Sequence, residues 1–340
     1  IAGQTNSSLT VSNVYYGSAD TYTVTATNPF GSATSSGATI TVNYPPTFAN
    51  LTNGLVLHLT FDTDYSDSSG HANNGTGVGA PTLVAGKIGS KALSVSTDTT
   101  NSIYNYVSLG APSDLLFGSN VNFSVAYWVK LPAGYALGDL PFLSSAATSY
   151  GDFGVTFAPS YQRGGWSWSL ANVAGDSSGL YGPDDSINDG AWHNLVHTFN
   201  RIGDGKTYLD GTLVSTSPIA GIGNVDSGLN YNIGQGSTGL YQESGSFAID
   251  DIGVWRLELT DIQARSVYRA GQNSRSFDTF GPVALTINKL AGGDIEITWQ
   301  TGALMQASSI TGPFTPVSGA IAPYYRFTPA GDIKFFAVGP

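Results

Sequence analysis

Ser246-Phe247-Ala248-Ile249-Asp250-Asp251-Ile252-Gly253-Val254-Trp255 is the stretch on which the fold of this chain turns. It reads as a β-strand with apolar residues of both parities. Strict alternation places Phe247, Ile249 and Trp255 on one face and Ala248, Ile252 and Val254 on the other. A strand covered on both faces belongs in the middle of a two-sheet stack. The same alternation sends Asp250 and Asp251 to opposite faces. A buried carboxylate is costly unless it is hydrogen-bonded, paired with a cation or bound to a metal, so both need partners.

Working outward, other runs share this character. Gly54 to Asp62 alternates, with Leu55, Leu57, Leu59 and Phe61 on one face, and leads into the acidic, hydroxyl-rich loop Thr63 to Gly70. Val121, Phe123, Val125, Tyr127, Val129 and Leu131 share one face of the strongest strand. Ala191 to Phe199 is another strand, and Thr207 to Val214 a hairpin pivoting on Asp210-Gly211.

The composition agrees. Of 340 residues, 43 are Gly, 12% are aromatic and only 11% are charged, and almost no segment has a helical period, which predicts all-β domains rich in turns. The length suggests two or three domains. The net charge of -11 argues against nucleic acid or an anionic membrane as the main partner and suits divalent cations or neutral glycans. With no cysteine there is neither a disulfide framework nor a thiolate metal site. No apolar run approaches the roughly 20 residues that cross a bilayer. The lysine-poor, acidic, Ser/Thr/Asn/Gly-rich composition is that of exported bacterial proteins, and a start at Ile1 suggests a chain processed or cut from something longer.

Taken together, these landmarks resemble the laminin-G-like members of the concanavalin A-like superfamily. The matching motifs are a strand ending in Phe61-Asp62, the loop Asp67-Ser68-Ser69-Gly70 with Asn73-Asn74-Gly75-Thr76, and Phe123 to Val129. Trp192-His193-Asn194-Leu195-Val196, Tyr208-Leu209-Asp210-Gly211 and Ile249 to Trp255 follow in order, and then a short helix over Leu259 to Arg265, for which Thr260 suits the N-cap. The resemblance implies an antiparallel two-sheet jelly-roll sandwich over 47–280 with its first and last strands adjacent. That would bring Asp62 and Asp64 near Asp250 or Asp251, an oxygen set suited to a structural Ca²⁺. The alternative is that Asp62 and Asp250 cap backbone amides or pair with Arg256 or Lys87. The fold serves sugar binding, adhesion and catalysis alike.

Residues 1–46 resemble the last three strands of a bacterial immunoglobulin-like domain. The strands are Ser8 to Val14, Thr21 to Ala26 and Ala38 to Val42, with Tyr22 at the tyrosine-corner position and a turn at Asn28-Pro29-Phe30-Gly31. Such a fragment leaves an open edge, through which other copies of the chain or neighbouring surface proteins could add strands. Gly281-Pro282 opens a small β-module over 281–340, with strands at Val283 to Ile287, Asp294 to Trp299 and Lys334 to Val338.

Catalytic signatures are scarce. The three glutamates, Glu243, Glu258 and Glu296, are far apart, unlike the clustered acids of glycosidases. His193 and His197 lack a third metal ligand and read as structural. No Ser-His-Asp spacing or phosphate loop is present. Trp166 and Trp168 share a face and, with Tyr181, Asp184 and Asp185, could form a sugar-stacking platform, unless the two tryptophans are core. The reading is a non-catalytic, secreted or cell-surface protein of adhesion or extracellular architecture, assembling through its N-terminal edge. The alternative is a lectin-like module of a polysaccharide-using system.

Overall fold

The computed structural model describes residues 20–40, 51–147, 152–272, 274–278, 285–290, 292–299, 303–310, 312–320, 324–329 and 334–339. The chain divides into two units, 48–282 and a second one comprising 1–47 with 283–340.

In the larger unit every ladder is antiparallel. One layer runs Leu55–Leu59, Gly245–Trp255, Phe123–Lys130, His193–Phe199, Asp204–Leu209, Thr212–Pro218. The other runs Ser177–Tyr181, Trp166–Ala171, Gly154–Pro159, Leu143–Ser144, Tyr231–Ile233, Ile103–Gly110. Lys91–Asp98 pairs with the first half of Gly245–Trp255 and forms a hairpin with Ile103–Gly110, so hydrogen bonding continues from one layer into the other. The first strand lies beside the last, with Leu59 opposite Ile252, His58 opposite Gly253 and Leu57 opposite Val254. This is the jelly roll that the resemblance implied.

The main core fills the space between the layers. Phe123, Val125, Tyr127, Val129 and Leu131 meet Val155, Phe157, Trp166, Trp168 and Leu170 there. On the outer face of the second layer, the row Ser169, Thr156, Ser144, Asn232, Ser108 is polar throughout, so the sequence alternation is read out directly.

A second, smaller core lies outside the first layer, under helix α1 (Asp261–Gln272). The helix starts with a reciprocal capping box: Thr260 Oγ1 accepts from the Gln263 amide at 3.3 Å, and Gln263 Oε1 accepts from the Thr260 amide at 2.9 Å. It runs beyond Arg265 to Gln272 because Ala264, Val267 and Ala270 keep an apolar stripe buried. Gly271 is required where the helix meets the sheet, since a Cβ there would stand 2.4 Å from the Trp128 ring. Leu55 departs from the sequence reading. The register shifts between Val254 and Trp255, so Leu55 joins the second core while Val56, Leu57 and Leu59 join the first.

In the second unit, Asp20–Tyr22 pairs with Ala38–Ile40, and Thr25–Asn28 with Gly31–Thr34 around the expected turn. The Ser8 to Val14 run lies outside the described residues. The Ser35 amide donates to the Val24 carbonyl at 2.9 Å between the two ladders, so the described residues here form one interrupted hairpin, and the immunoglobulin-like reading stays without support. The C-terminal part has two three-stranded sheets, Thr286–Lys289 with Ile295–Thr298 and Tyr324–Phe327, and Thr315–Pro316 with Ala303–Ala307 and Phe335–Gly339. Ile297, Trp299, Leu304, Val317 and Val338 form its core.

Candidate functional site

The acidic pair sits on a β-bulge. Opposite Phe123–Lys130, Asp250 faces Trp128 but Gly253 faces Ala126, so the register slips between them. Ile249 and Ile252 both point into the main core, and Asp251 takes up the slack at a φ of 48°. Asp tolerates that left-handed conformation better than a bulky residue does. Asp250 shares the outer face with its register partner Trp128, and Asp251 meets His58 there. This corrects the reading of opposite faces: the bulge breaks the alternation that reading assumed.

Asp250 is spent on backbone amides. Its Oδ2 accepts from Lys87 at 2.8 Å and Ile88 at 2.9 Å, and its Oδ1 from Asp251 at 2.9 Å. Burial pushes its carboxyl up to about 7, against the pull of the Ile88 and Lys87 amides. Asp62 accepts from the amides of Ser90 and Lys91 on the same turn, so the two carboxylates grip opposite ends of residues 86–91. Asp64 stands apart, exposed, accepting from the Ser66 amide at 2.8 Å.

Asp251 belongs to a third group. Its Oδ1 lies 2.8 Å from His58 Nε2 and accepts from Ser276 Oγ at 2.7 Å. His58 is 1% exposed, and Nδ1 faces Ser68 Oγ at 2.7 Å and Asp278 Oδ2 at 3.3 Å. Burial alone would lower its pKa, but the hydrogen bonds to Asp251 and Asp278 outweigh that and hold it at about 9. The His58 amide donates to Asp67, which also accepts from Ser69 and Asn73, so the loop after the first strand is plugged by its own hydrogen bonds.

Asp62, Asp64, Asp250 and Asp251 therefore do not converge. Among the described residues no three His, Asp or Glu side chains are placed to hold a metal ion. Calcium does not fit these four: Asp62 and Asp250 already accept backbone amides, and Asp251 is paired with an imidazolium. The amide-capping alternative describes Asp62 and Asp250.

Ser68, His58 and Asp251 do line up as a hydroxyl–imidazole–carboxylate relay, which no spacing in the sequence announced. The carboxylates of Asp251 and Asp278 favour the protonated ring, whereas a general base needs a free lone pair on the imidazole. Of the other histidines singled out, His197 is buried between Tyr127 Oη and Thr207 Oγ1, each 3.0 Å away, and burial lowers its pKa to about 3. His193 bonds to Asp210 at 2.8 Å and Asp189 at 3.1 Å.

The tryptophan platform also needs correction. Trp166 and Trp168 are each 0% exposed, because the residues of Trp166–Ala171 that share their parity face the main core. Trp168 stands edge-on to Phe199 and Trp166 packs beside His197. What reaches solvent is the rim beside them. Tyr161 is 43% and Tyr181 40% exposed. The Arg163 guanidinium lies 5.8 Å from the Tyr181 ring centre while Nε donates to Asp184 at 2.6 Å. Asp185 holds Asn188 Nδ2 at 2.8 Å, and the carbonyl of exposed Leu137 accepts from Gln162. Behind this rim Tyr241 donates its hydroxyl to the buried Asp139. Burial first and then Asp139 push the Tyr181 phenol up, while Arg163 pulls it down. Leu137 and Asp139 were not singled out from sequence; they come from a separate loop that only the fold brings beside the aromatic stretch Tyr161 to Leu170.

The model of a laminin-G family, described as the concanavalin A-like lectin/glucanases superfamily, matches residues 100–264. The larger unit is thus a laminin-G-like domain of concanavalin A-like fold. Among solved structures, the binding domain of Paraclostridial Mosquitocidal Protein 1 is similar with a TM-score of 0.55 and 15% identity, over 79% of this chain and 69% of that one. The binding domain of botulinum neurotoxin DC, in complex with rat synaptotagmin II, gives a TM-score of 0.51 and 14% identity over 75% and 58% of the two chains. Botulinum neurotoxin type C, whose cell entry depends on interaction with two ganglioside molecules, gives 0.51 and 14% over 76% and 58%. The chain spans less than two thirds of those two neurotoxin structures, and at such identities the likeness is one of fold. No curated protein matches the chain.

Proposed function

We propose that this is a non-catalytic extracellular protein of adhesion or extracellular architecture whose laminin-G-like domain binds carbohydrate at the Tyr161–Tyr181 rim. The observation that carries it is the exposure of two tyrosine rings beside a fixed Arg163–Asp184 pair. Flat rings stack on the C–H faces of sugars, and a held guanidinium–carboxylate pair presents donors and acceptors to hydroxyls. The fold neighbours support a binding role, one by its protein partner and one by its gangliosides. A glycan array probed with the whole chain tests this. Binding that Tyr181→Ala or Arg163→Ala abolishes supports it; silence on the array, or binding indifferent to both changes, refutes it.

Assembly with other copies or with neighbouring surface proteins through the N-terminal strands is part of the same proposal. Every residue of Thr25–Asn28 and Gly31–Thr34 is exposed, and Phe30 at the turn is 97% exposed. A bare two-stranded ribbon gains from a partner. Light scattering showing a monomer at all concentrations would remove that part.

A further inference from the structure

We propose that the C-terminal part of the second unit carries a separate carbohydrate site, a sheet face that binds neutral, unbranched polysaccharide. The face belongs to Thr286–Lys289, Ile295–Thr298 and Tyr324–Phe327, and it rests on the same chemistry as the sugar-binding reading of the Tyr161–Tyr181 rim. At the rim the Arg163 guanidinium lies 5.8 Å from the Tyr181 ring centre, and its Nε donates to Asp184 at 2.6 Å. On the sheet the Arg326 guanidinium lies 5.3 Å from the Tyr324 ring centre, and its Nε donates to Glu296 at 2.6 Å. A solvent-facing tyrosine, an arginine beside its ring and a carboxylate fixing that arginine thus recur on a different scaffold.

Alternation builds the face. Ile295, Ile297, Tyr325 and Phe327 pack into the core of this part, so residues of the other parity point away from it. Tyr324, 55% exposed, stands opposite Thr298, with Thr286 one strand further on. Arg326 stands opposite Glu296, with Asn288 beyond. Cross-strand neighbours lie about 5 Å apart, so a ring and two hydroxyls run beside a guanidinium, a carboxylate and an amide. Arg326 meets Glu296 through Nε, which leaves its two Nη groups to donate to sugar hydroxyls.

Charge and shape select the ligand. Glu296 cancels Arg326 within the face, and neither row holds a second cation, so an anionic sugar meets no net attraction. A pocket surrounds its ligand, whereas an open sheet face covers one side of a sugar and binds each unit weakly. A polymer offers the same contact in many registers, so a long chain is held where a short glycan is not. The face is therefore distinct in ligand from the rim, whose partners on an array are short.

Affinity electrophoresis of the whole chain tests this, in native gels containing hydroxyethyl cellulose, mixed-linkage β-glucan or glucomannan. The parent and Tyr181→Ala should be retarded alike in at least one gel, and Tyr324→Ala should lose roughly tenfold in apparent affinity there. Should Tyr324→Ala unfold the C-terminal part by circular dichroism, Arg326→Lys replaces it, keeping the charge beside Glu296 and losing the planar fork. Retardation should persist at about 0.5 M salt, since no net charge is recruited. Binding of short glycans on an array should be the same in Tyr324→Ala as in the parent. A parent that runs freely in all three gels, retardation indifferent to both Tyr324→Ala and Arg326→Lys, retardation lost in salt, or retardation abolished by Tyr181→Ala would each overturn the proposal, and none of these touches the array test of the rim. Silence on the array with retardation lost in Tyr324→Ala would remove the rim and leave this face standing.

Discussion

His58 and Asp250 pull the pH profile of this protein in distinguishable windows. His58 has a folded pKa raised above its unfolded one, so its contribution is complete below about 6.5 and is lost as pH rises through about 9. Asp250 is a carboxyl raised to about 7 from 3.8, so the folded state binds the extra proton between those values and stability falls as pH climbs through them. Urea unfolding at steps from pH 4 to pH 10 should therefore show two descents, and His58→Gln should erase only the upper one. Removing Asp251 is expected to cost about 3–5 kcal/mol, because it strands a buried imidazolium. At the same scale, dialysis against a chelator should leave the melting temperature of the chain unchanged. A fall that added calcium restores would return a metal to these carboxylates.

At the scale of the element, legibility depended on whether neighbours matter. The strand at Phe123, the hairpin at Asp210-Gly211 and the N-cap at Thr260 are local signals, and the structure keeps all of them. The bulge at Asp250-Asp251 is not local. It sits where the neighbour on the other side of that long strand changes, from Lys91–Asp98 along its first half to Leu55–Leu59 along its second, and nothing in an Asp-Asp dipeptide encodes the slip. The tryptophans stood between platform and core for a related reason: parity identified their shared face but could not say whether that face looks inward, and the structure bears out the core alternative. Two changes separate these roles. Trp168→Ala should cost about 3–5 kcal/mol, as expected for a fully buried aromatic. Tyr181→Ala should stay within about 0.5 kcal/mol of the parent in urea, as for a surface site, while losing glycan binding. Equal stabilities in the two variants would put the assignment of core and rim in error.

For the whole molecule, the consequential question is where the laminin-G-like domain ends. A family match closing at residue 264 stops inside helix α1, and helix propensity alone would place the boundary at Gln272. The packing argues otherwise. Phe277 is a buried member of the second core beside Trp255 and Leu51, and Ser276 and Asp278 complete the shell of His58. A domain cut after Gln272 would open an aromatic-sized cavity over Trp255 and leave His58 with one carboxylate instead of two. A Phe-sized cavity alone costs about 3–5 kcal/mol, a large share of the 5–15 kcal/mol that holds a typical domain. Residues 48–278 should therefore unfold cooperatively at a temperature close to the corresponding transition in the whole chain, and residues 48–272 should melt far lower or fail to fold. Extending the shorter piece by six residues should restore what was lost, with Phe277→Ala recovering only part of it. If both pieces melted alike, residues 274–278 would be passengers on the sandwich, and the second core would have to be closed by α1 alone.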